Sequence, residues 1–273
     1  MLQIRHLTKS FGGVLATQDV SMDFPKDSLR AVIGPNGAGK TTFFNLISGV
    51  FPPDSGSIQL DGQEIVGKAS NEIVRLGVGR AFQVAKLFKS LTVEESLRAA
   101  LMSPLGKSAS LHGRFPLLAT RDRAQEVMEQ LHLTSKANVV SGNLSHGDQK
   151  LLDLALALVL KPKVLLLDEP VAGMGPEERE KMIETVHALW KRGGLTVVLI
   201  EHDMEIVFRV AQHIFVLCYG KLLAQGSAEQ VRSNPEVIEA YLGRPKDPQQ
   251  AQVPMQVQGQ MQPNQAKPEG ASA

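Results

Sequence analysis

Apolar and polar positions alternate in short runs through the N-terminal part of the chain. LQIRHLT, ATQDVSMDF and SLRAVIG each read as a short β-like run bounded by turns. The last runs straight into a glycine-rich turn, and the apolar TTFFNLISGV behind it predicts a helix. SIQLDGQEI alternates again, with a tight-turn pair at Asp61–Gly62. From about Val93 to Leu133 the apolar spacing turns helical, in VEESLRAALM and TRDRAQEVMEQLHL, with a loop near SPLGKSASLHGRFP between them. KVLLLDEP and LTVVLIEHD are nearly continuous apolar runs, the pattern of strands buried on both faces of a parallel sheet. Between them PEEREKMIETVHALWKRGG predicts an amphipathic helix that begins at Pro176 and stops at Gly193–Gly194. EIVFRVAQ predicts a further helix and HIFVLCYGKLLAQG a closing hairpin.

This order predicts an α/β fold with a mostly parallel sheet flanked by helices, preceded by an antiparallel β part. The helical stretch, about 88–160, is expected as a subdomain inserted in a single domain of residues 1–243. Residues 244–273 are rich in Gln and Pro without periodicity, and predict a disordered tail.

Composition narrows the classes. The 273 residues carry a net charge of +1, which argues against a bulk electrostatic grip on nucleic acid. The start, MLQIRHLTKSFGG, lacks the apolar core of a secretory signal. The densest apolar segment, LALALVL, falls far short of the ~20 residues that cross a bilayer. A single cysteine, Cys218, excludes an internal disulfide.

The chemistry begins at the glycine-rich turn. Gly34, Pro35, Asn36, Gly37, Ala38, Gly39, Lys40 and Thr41 spell GPNGAGKT, a complete phosphate-binding loop placed after a strand and before a helix. Its glycines let successive N–H groups face one anion, and the helix dipole adds positive potential. Lys40 can reach the outer phosphates of a nucleoside triphosphate, Thr41 can ligate Mg²⁺, and Thr42 offers a further phosphate contact. VLLLDE then ends a buried strand in two carboxylates. Asp168 suits Mg²⁺, and Glu169 suits a base that orients or deprotonates water. A like-charge pair at 4 Å costs ~4 kcal/mol at an effective dielectric of 20, so the two carboxylates need Mg²⁺ and Lys40 beside them.

LSHGDQ, residues 144–149, places Ser, His and Asp in one turn. Groups that close in sequence cannot converge on one reacting atom as a hydrolase triad must. Its place one helix upstream of VLLLDEP instead resembles the LSGGQ signature of ATP-binding cassette (ABC) ATPases. Gln83 in GRAFQ matches that family's Q-loop, His202 in LIEHDM its switch histidine, and AGMG its D-loop. Phe11 in KSFGG matches its adenine-stacking aromatic. The resemblance covers residues 1–243 and implies a head-to-tail nucleotide sandwich. Phe11, the phosphate loop, Gln83, Asp168, Glu169 and His202 would form half of a site, with Thr41, Gln83 and Asp168 toward Mg²⁺. Ser145 and Gly147 of a facing cassette, the same chain or a paralogue, would supply the other half.

Within the family, GVGRAFQVAKLFKSLTVEESL, LSHGDQKLLDLALAL, DEPVAGM, LIEHDM and NPEVIEAYLG resemble the ATPase subunits of branched-chain (hydrophobic) amino acid importers. LSHGDQ with DEPVAGM is also similar to the urea and short-chain amide importers. The resemblance implies two membrane-embedded permeases, a periplasmic binding protein, no nucleic acid, and a peripheral place on the cytoplasmic face of the inner membrane. A soluble cassette not linked to transport is the remaining alternative. His146 stands where a signature glycine is usual, Asp148 where a glutamine is, and Gly175 where the D-loop aspartate is.

Overall fold

The computed structural model describes residues 1–82, 85, 87–102 and 120–242. Gln83, the loop expected at 103–116 and the tail expected at 244–273 lie outside the described residues.

The chain begins with β1 (Leu2–Phe11), β2 (Val14–Phe24), β3 (Leu29–Ile33), α1 (Lys40–Ile47), β4 (Ser55–Leu60) and β5 (Gln63–Glu64). Next come α2 (Ser70–Leu76), β6 (Val78–Ala81), α3 (Val93–Met102), α4 (Arg121–Gln130) and α5 (His146–Leu158). The last part holds β7 (Val164–Asp168), α6 (Pro176–Lys191), β8 (Thr196–Ile200), α7 (Met204–Val210), β9 (His213–Cys218), β10 (Lys221–Gly226), α8 (Ala228–Arg232) and α9 (Pro235–Leu242). The runs LQIRHLT, ATQDVSMDF and SIQLDGQEI pair as an antiparallel four-stranded sheet in the order β2-β1-β4-β5, whereas SLRAVIG, as β3, joins the other sheet. The apolar runs make a six-stranded sheet, β10-β9-β3-β8-β7-β6, parallel except for the closing hairpin.

The alternation of each central strand decides what covers it. Val164 and Leu166 point to one face, where they pack with Phe43 and Phe44 of α1 and with Leu2, Ile4 and Phe24 of the small sheet. Leu165 and Leu167 point to the other, where they join Val93, Leu97, Val127, Leu152 and Ala155 from α3, α4 and α5. The helical segment is therefore seated directly on the sheet. On the β3–β9 side that second face is closed by Val207, Val231 and Val237 from α7, α8 and α9.

β6 and α2 occupy a stretch where the hydrophobic pattern predicts nothing. Four residues are too few to show a period, and β6 carries a glycine and an arginine within VGRA. It is an edge strand, paired with β7 alone among the described strands.

Parallel pairing sets the functional geometry. β3 lies between β8 and β9, and β7 lies beside β8 with Asp168 level with Ile200. The carboxyl ends of β3, β7 and β8 therefore emerge at one edge of the sheet, where open α/β folds carry their ligands. The glycine-rich turn, the acidic pair and His202 are residues that follow those ends.

Candidate functional site

β3 feeds the 34–39 turn, and α1 starts at Lys40 with Gly39 as its N-cap. Gly39 has φ 101°, and a Cβ there would lie 2.1 Å from the Ala16 carbonyl oxygen, so only glycine fits against β2. The turn is also held from the β9–β10 hairpin, where Gly220 N–H donates to the Ala38 carbonyl at 3.1 Å. Pro35 is half-buried and Asn36 and Gly37 are exposed at the tip of the turn; Thr41 is exposed and Thr42 half-buried in the first turn of α1. Lys40 is buried, and its ammonium donates to the Gly34 and Pro35 carbonyls at 2.7 and 3.1 Å. Burial lowers the Lys40 pKa, while the carboxylates of Glu169 and Asp168 push it back up.

Asp168 ends β7 and is 3% exposed. Its Oδ2 accepts from the Arg80 guanidinium at 2.8 Å, while its Oδ1 is buried without a hydrogen-bond partner. A buried carboxylate oxygen left unsatisfied is costly unless a cation or water meets it. Thr41 is exposed in the first turn of α1, directly after the phosphate loop, and this hard oxygen of Asp168 suits Mg²⁺, which takes few protein carboxylates and keeps waters. The residues present thus fit the ion.

Glu169 follows with φ 51°, a strained conformation for a residue with a side chain. It turns the chain sharply off the strand and aims the carboxylate at His202, whose Nε2 shares a 2.5 Å hydrogen bond with Oε1. Behind this pair, Glu201 is buried and accepts the N–H groups of Val171 and His202 at 3.1 and 3.2 Å. Burial raises the Glu201 pKa against the pull of those two bonds. The neighbouring Asp203 caps α7, accepting from Glu205 and Ile206 N–H.

Phe11 closes β1 at the tip of the β1–β2 hairpin and is 46% exposed. Its ring meets Phe51 edge-on at 5.2 Å, and the Lys9 ammonium lies 5.5 Å from its centroid. Asp54 braces this corner, accepting from Lys9 Nζ at 2.6 Å and from the Ser10 N–H at 2.7 Å. The Lys9 hydrogen bond, then those from Ser10, hold the Asp54 carboxyl down to about 2. A depressed carboxyl stabilises the fold above its unfolded pKa of ~3.9, and that contribution fades as pH falls through the folded value of about 2. Asp54→Asn is therefore expected to lower Tm at pH 7 and to lower it much less near pH 2. Thermal unfolding at the two pH values decides it; an equal loss at both would remove the charge from the explanation.

The signature residues lie elsewhere. Ser145 caps α5, accepting the Asp148 N–H at 3.2 Å and donating its own hydroxyl proton to Asp148 Oδ2 at 2.6 Å. Burial alone would raise the Asp148 pKa, but the Lys136 and Ser145 hydrogen bonds outweigh it and the net shift is downward. His146 turns away from both, its Nε2 lying 3.4 Å from the Ala172 carbonyl in the D-loop stretch. Gly147 is buried against Glu178 at the start of α6. Within one chain the structure thus brings together the phosphate loop, Asp168, Glu169 and His202. Ser145 and Gly147 instead share their surroundings with the D-loop and α6.

Arg80 and Asp153 are the residues that sequence reasoning missed. Asp153 of α5 is buried and accepts the Phe82 N–H at 2.7 Å, fixing the end of β6 to the signature helix. The available signal was a charge in the middle of VGRAF, immediately ahead of the Q-loop match.

A strand–glycine turn–helix with its lysine, a neighbouring acidic strand end and a histidine facing the second acid define a P-loop nucleotide hydrolase. The chain belongs to the ABC transporter family, whose profile matches residues 17–172. A second profile, branched-chain amino acid ATP-binding cassette transporter, matches residues 221–247. The chain is 41% identical over 250 residues to the high-affinity branched-chain amino acid transport ATP-binding protein BraF of Pseudomonas aeruginosa, covering 89% of this chain and 98% of that protein. A crystal structure of the ADP conformation of an ABC transporter's ATP-binding cassette superposes with a TM-score of 0.80 at 30% identity, over 89% of this chain and 98% of that one. The dimeric structure of a bacterial ABC transporter cassette aligns with a TM-score of 0.72 at 25% identity, over 84% and 99% of the two chains.

Proposed function

We propose that this chain is the ATP-hydrolysing subunit of a bacterial importer for branched-chain or hydrophobic amino acids. The observation that carries the ATPase reading is the Glu169–His202 hydrogen bond beside the phosphate loop. A base held by a fixed partner at the edge of a triphosphate cradle is what water attack on a γ-phosphate requires. The amino acid reading rests on the 221–247 match and on the relatives' transport of that substrate class.

In this reading Gly34 to Thr42 cradle the phosphates, and the Lys40 ammonium exchanges its carbonyl contacts for phosphate oxygens. Thr41, Asp168 and Gln83 would hold Mg²⁺, which neutralises charge developing on the phosphates when bound. Glu169 takes the proton of the attacking water, His202 fixes the Glu169 carboxylate, and Phe11 carries the adenine. Ser145 and Gly147 serve the nucleotide of a facing cassette, since the N-terminus of α5 offers free N–H groups and a positive dipole end. The partner cassette is a second copy or a paralogue, as the dimeric cassette structure supports. The cassette spans residues 1–243, with the 88–160 helical part relaying closure to two permeases and, through them, to a periplasmic binding protein. Residues 244–273 form a tail outside this machinery. Among the described residues no helix is long and apolar enough to cross a membrane; the importer reading itself places the subunit peripherally on the cytoplasmic face of the inner membrane.

Uptake tests the substrate. A strain lacking this gene is expected to lose most high-affinity uptake of labelled leucine, isoleucine and valine, recover it with the gene restored, and keep its uptake of urea. Loss of urea or acetamide uptake with leucine uptake intact would move the chain to the amide importers.

A further inference from the structure

We propose that Arg80 is the positioning residue of the Mg²⁺ site, fixing Asp168 by one oxygen so that the other faces the ion. The proposal rests on the reading of Asp168 as an Mg²⁺ ligand and adds a residue to it.

The parallel ladder sets up the pair. Arg80 is level with Leu166, so its side chain and that of Asp168, two residues further along β7, lie on the same face of the sheet. That face is the one covered by α1. The guanidinium is 6% exposed and the carboxylate 3%, so neither charge has solvent to rely on. One terminal nitrogen of Arg80 donates to Asp168 Oδ2 at 2.8 Å, and the other to Asn45 Oδ1 and Ser48 Oγ at 2.7 and 2.9 Å. Phe82 and Phe44 pack against the group, their ring centroids 4.8 and 5.7 Å from Cζ.

Arg80 therefore spans two elements. It ties the helix that begins at the phosphate loop to the strand that carries the acidic pair. A lysine would supply the charge at one point; only the planar fork can satisfy Asp168, Asn45 and Ser48 together. With Oδ2 occupied, the Asp168 carboxylate cannot rotate freely, and the unpartnered Oδ1 is left as its ligand atom. Losing a partner that orients a ligating carboxylate typically costs roughly 10- to 100-fold in metal affinity.

The test is the preference of the purified full-length chain for ATP with Mg²⁺ over ATP in EDTA, measured by fluorescence of a labelled ATP analogue. Arg80→Met is expected to reduce that preference about tenfold while changing metal-free affinity less than about twofold. Because Arg80→Met leaves a buried carboxylate uncompensated, a second variant, Asn45→Ala with Ser48→Ala, keeps the charge and loosens only its position. It is expected to shift the preference in the same direction by about threefold. An unchanged or increased preference in either folded variant would overturn the proposal, since Arg80 would then act as a counter-charge alone. Asp168→Asn serves as the control. If it leaves the Mg²⁺ preference intact, the assignment of Asp168 fails as well; if it abolishes the preference while the Arg80 and Asn45/Ser48 variants do not, the positioning role alone fails.

Discussion

Glu169→Gln is expected to cut steady-state ATP turnover by about 100-fold or more, the range that a positioned general base contributes. The glutamine keeps the shape of the side chain and its place beside His202 Nε2, at the end of a 2.5 Å hydrogen bond. It cannot take a proton from water. Because Lys40, Thr41 and Asp168 are untouched, ATP binding and ATP-driven pairing of cassettes are expected to persist. Phosphate release measured with excess ATP checks the first part and light scattering the second. Turnover within a few-fold of wild type would remove Glu169 from the role of base.

Ser145→Arg is expected to abolish hydrolysis for a different reason. The hydroxyl caps α5 and bonds Asp148, so its loss costs the isolated chain about 1 kcal/mol, a modest fall in stability. In the proposed two-cassette site the larger effect lies across the dimer, where a long cation would take the place of small donors assigned to the partner's γ-phosphate. Removing such donors lowers rates by roughly 100- to 1,000-fold. Monomer affinity for ATP, read by fluorescence titration, should stay within a few-fold of wild type. Loss of that affinity would place Ser145 in the site of its own chain.

The fold was legible where the physics is local. GPNGAGKT and the runs VLLLD and TVVLI place a phosphate turn and two buried strands without reference to the rest of the chain. The Asp61–Gly62 turn and the HIFVLCYGKLLAQG hairpin were equally plain, since turn chemistry and period-two alternation lie within a few residues. β6 was not, because an edge strand of four residues shows no period. Its arginine finds Asp168 only through the sheet, 88 positions away. His146 is a similar case. Its substitution for glycine has no meaning within LSHGDQ, and acquires one only when folding sets it against the Ala172 carbonyl, 26 residues on. Gly173 approaches the same imidazole within 3.2 Å of where its Cβ would lie, so the signature and the D-loop are in contact within one chain. That contact lies on the surface the dimer reading assigns to the partner's nucleotide.

The division of the site between two cassettes is the central claim, and mass tests it most directly. Glu169→Gln with ATP and Mg²⁺ should run at twice the monomer mass by light scattering, and at the monomer mass with ADP. Adding Ser145→Arg to that variant should return it to the monomer mass with nucleotide still bound. A double variant that remains a dimer would contradict a site completed by the neighbour's signature, whereas a Glu169→Gln chain that stays monomeric with ATP at every concentration would assign the facing half to a paralogue.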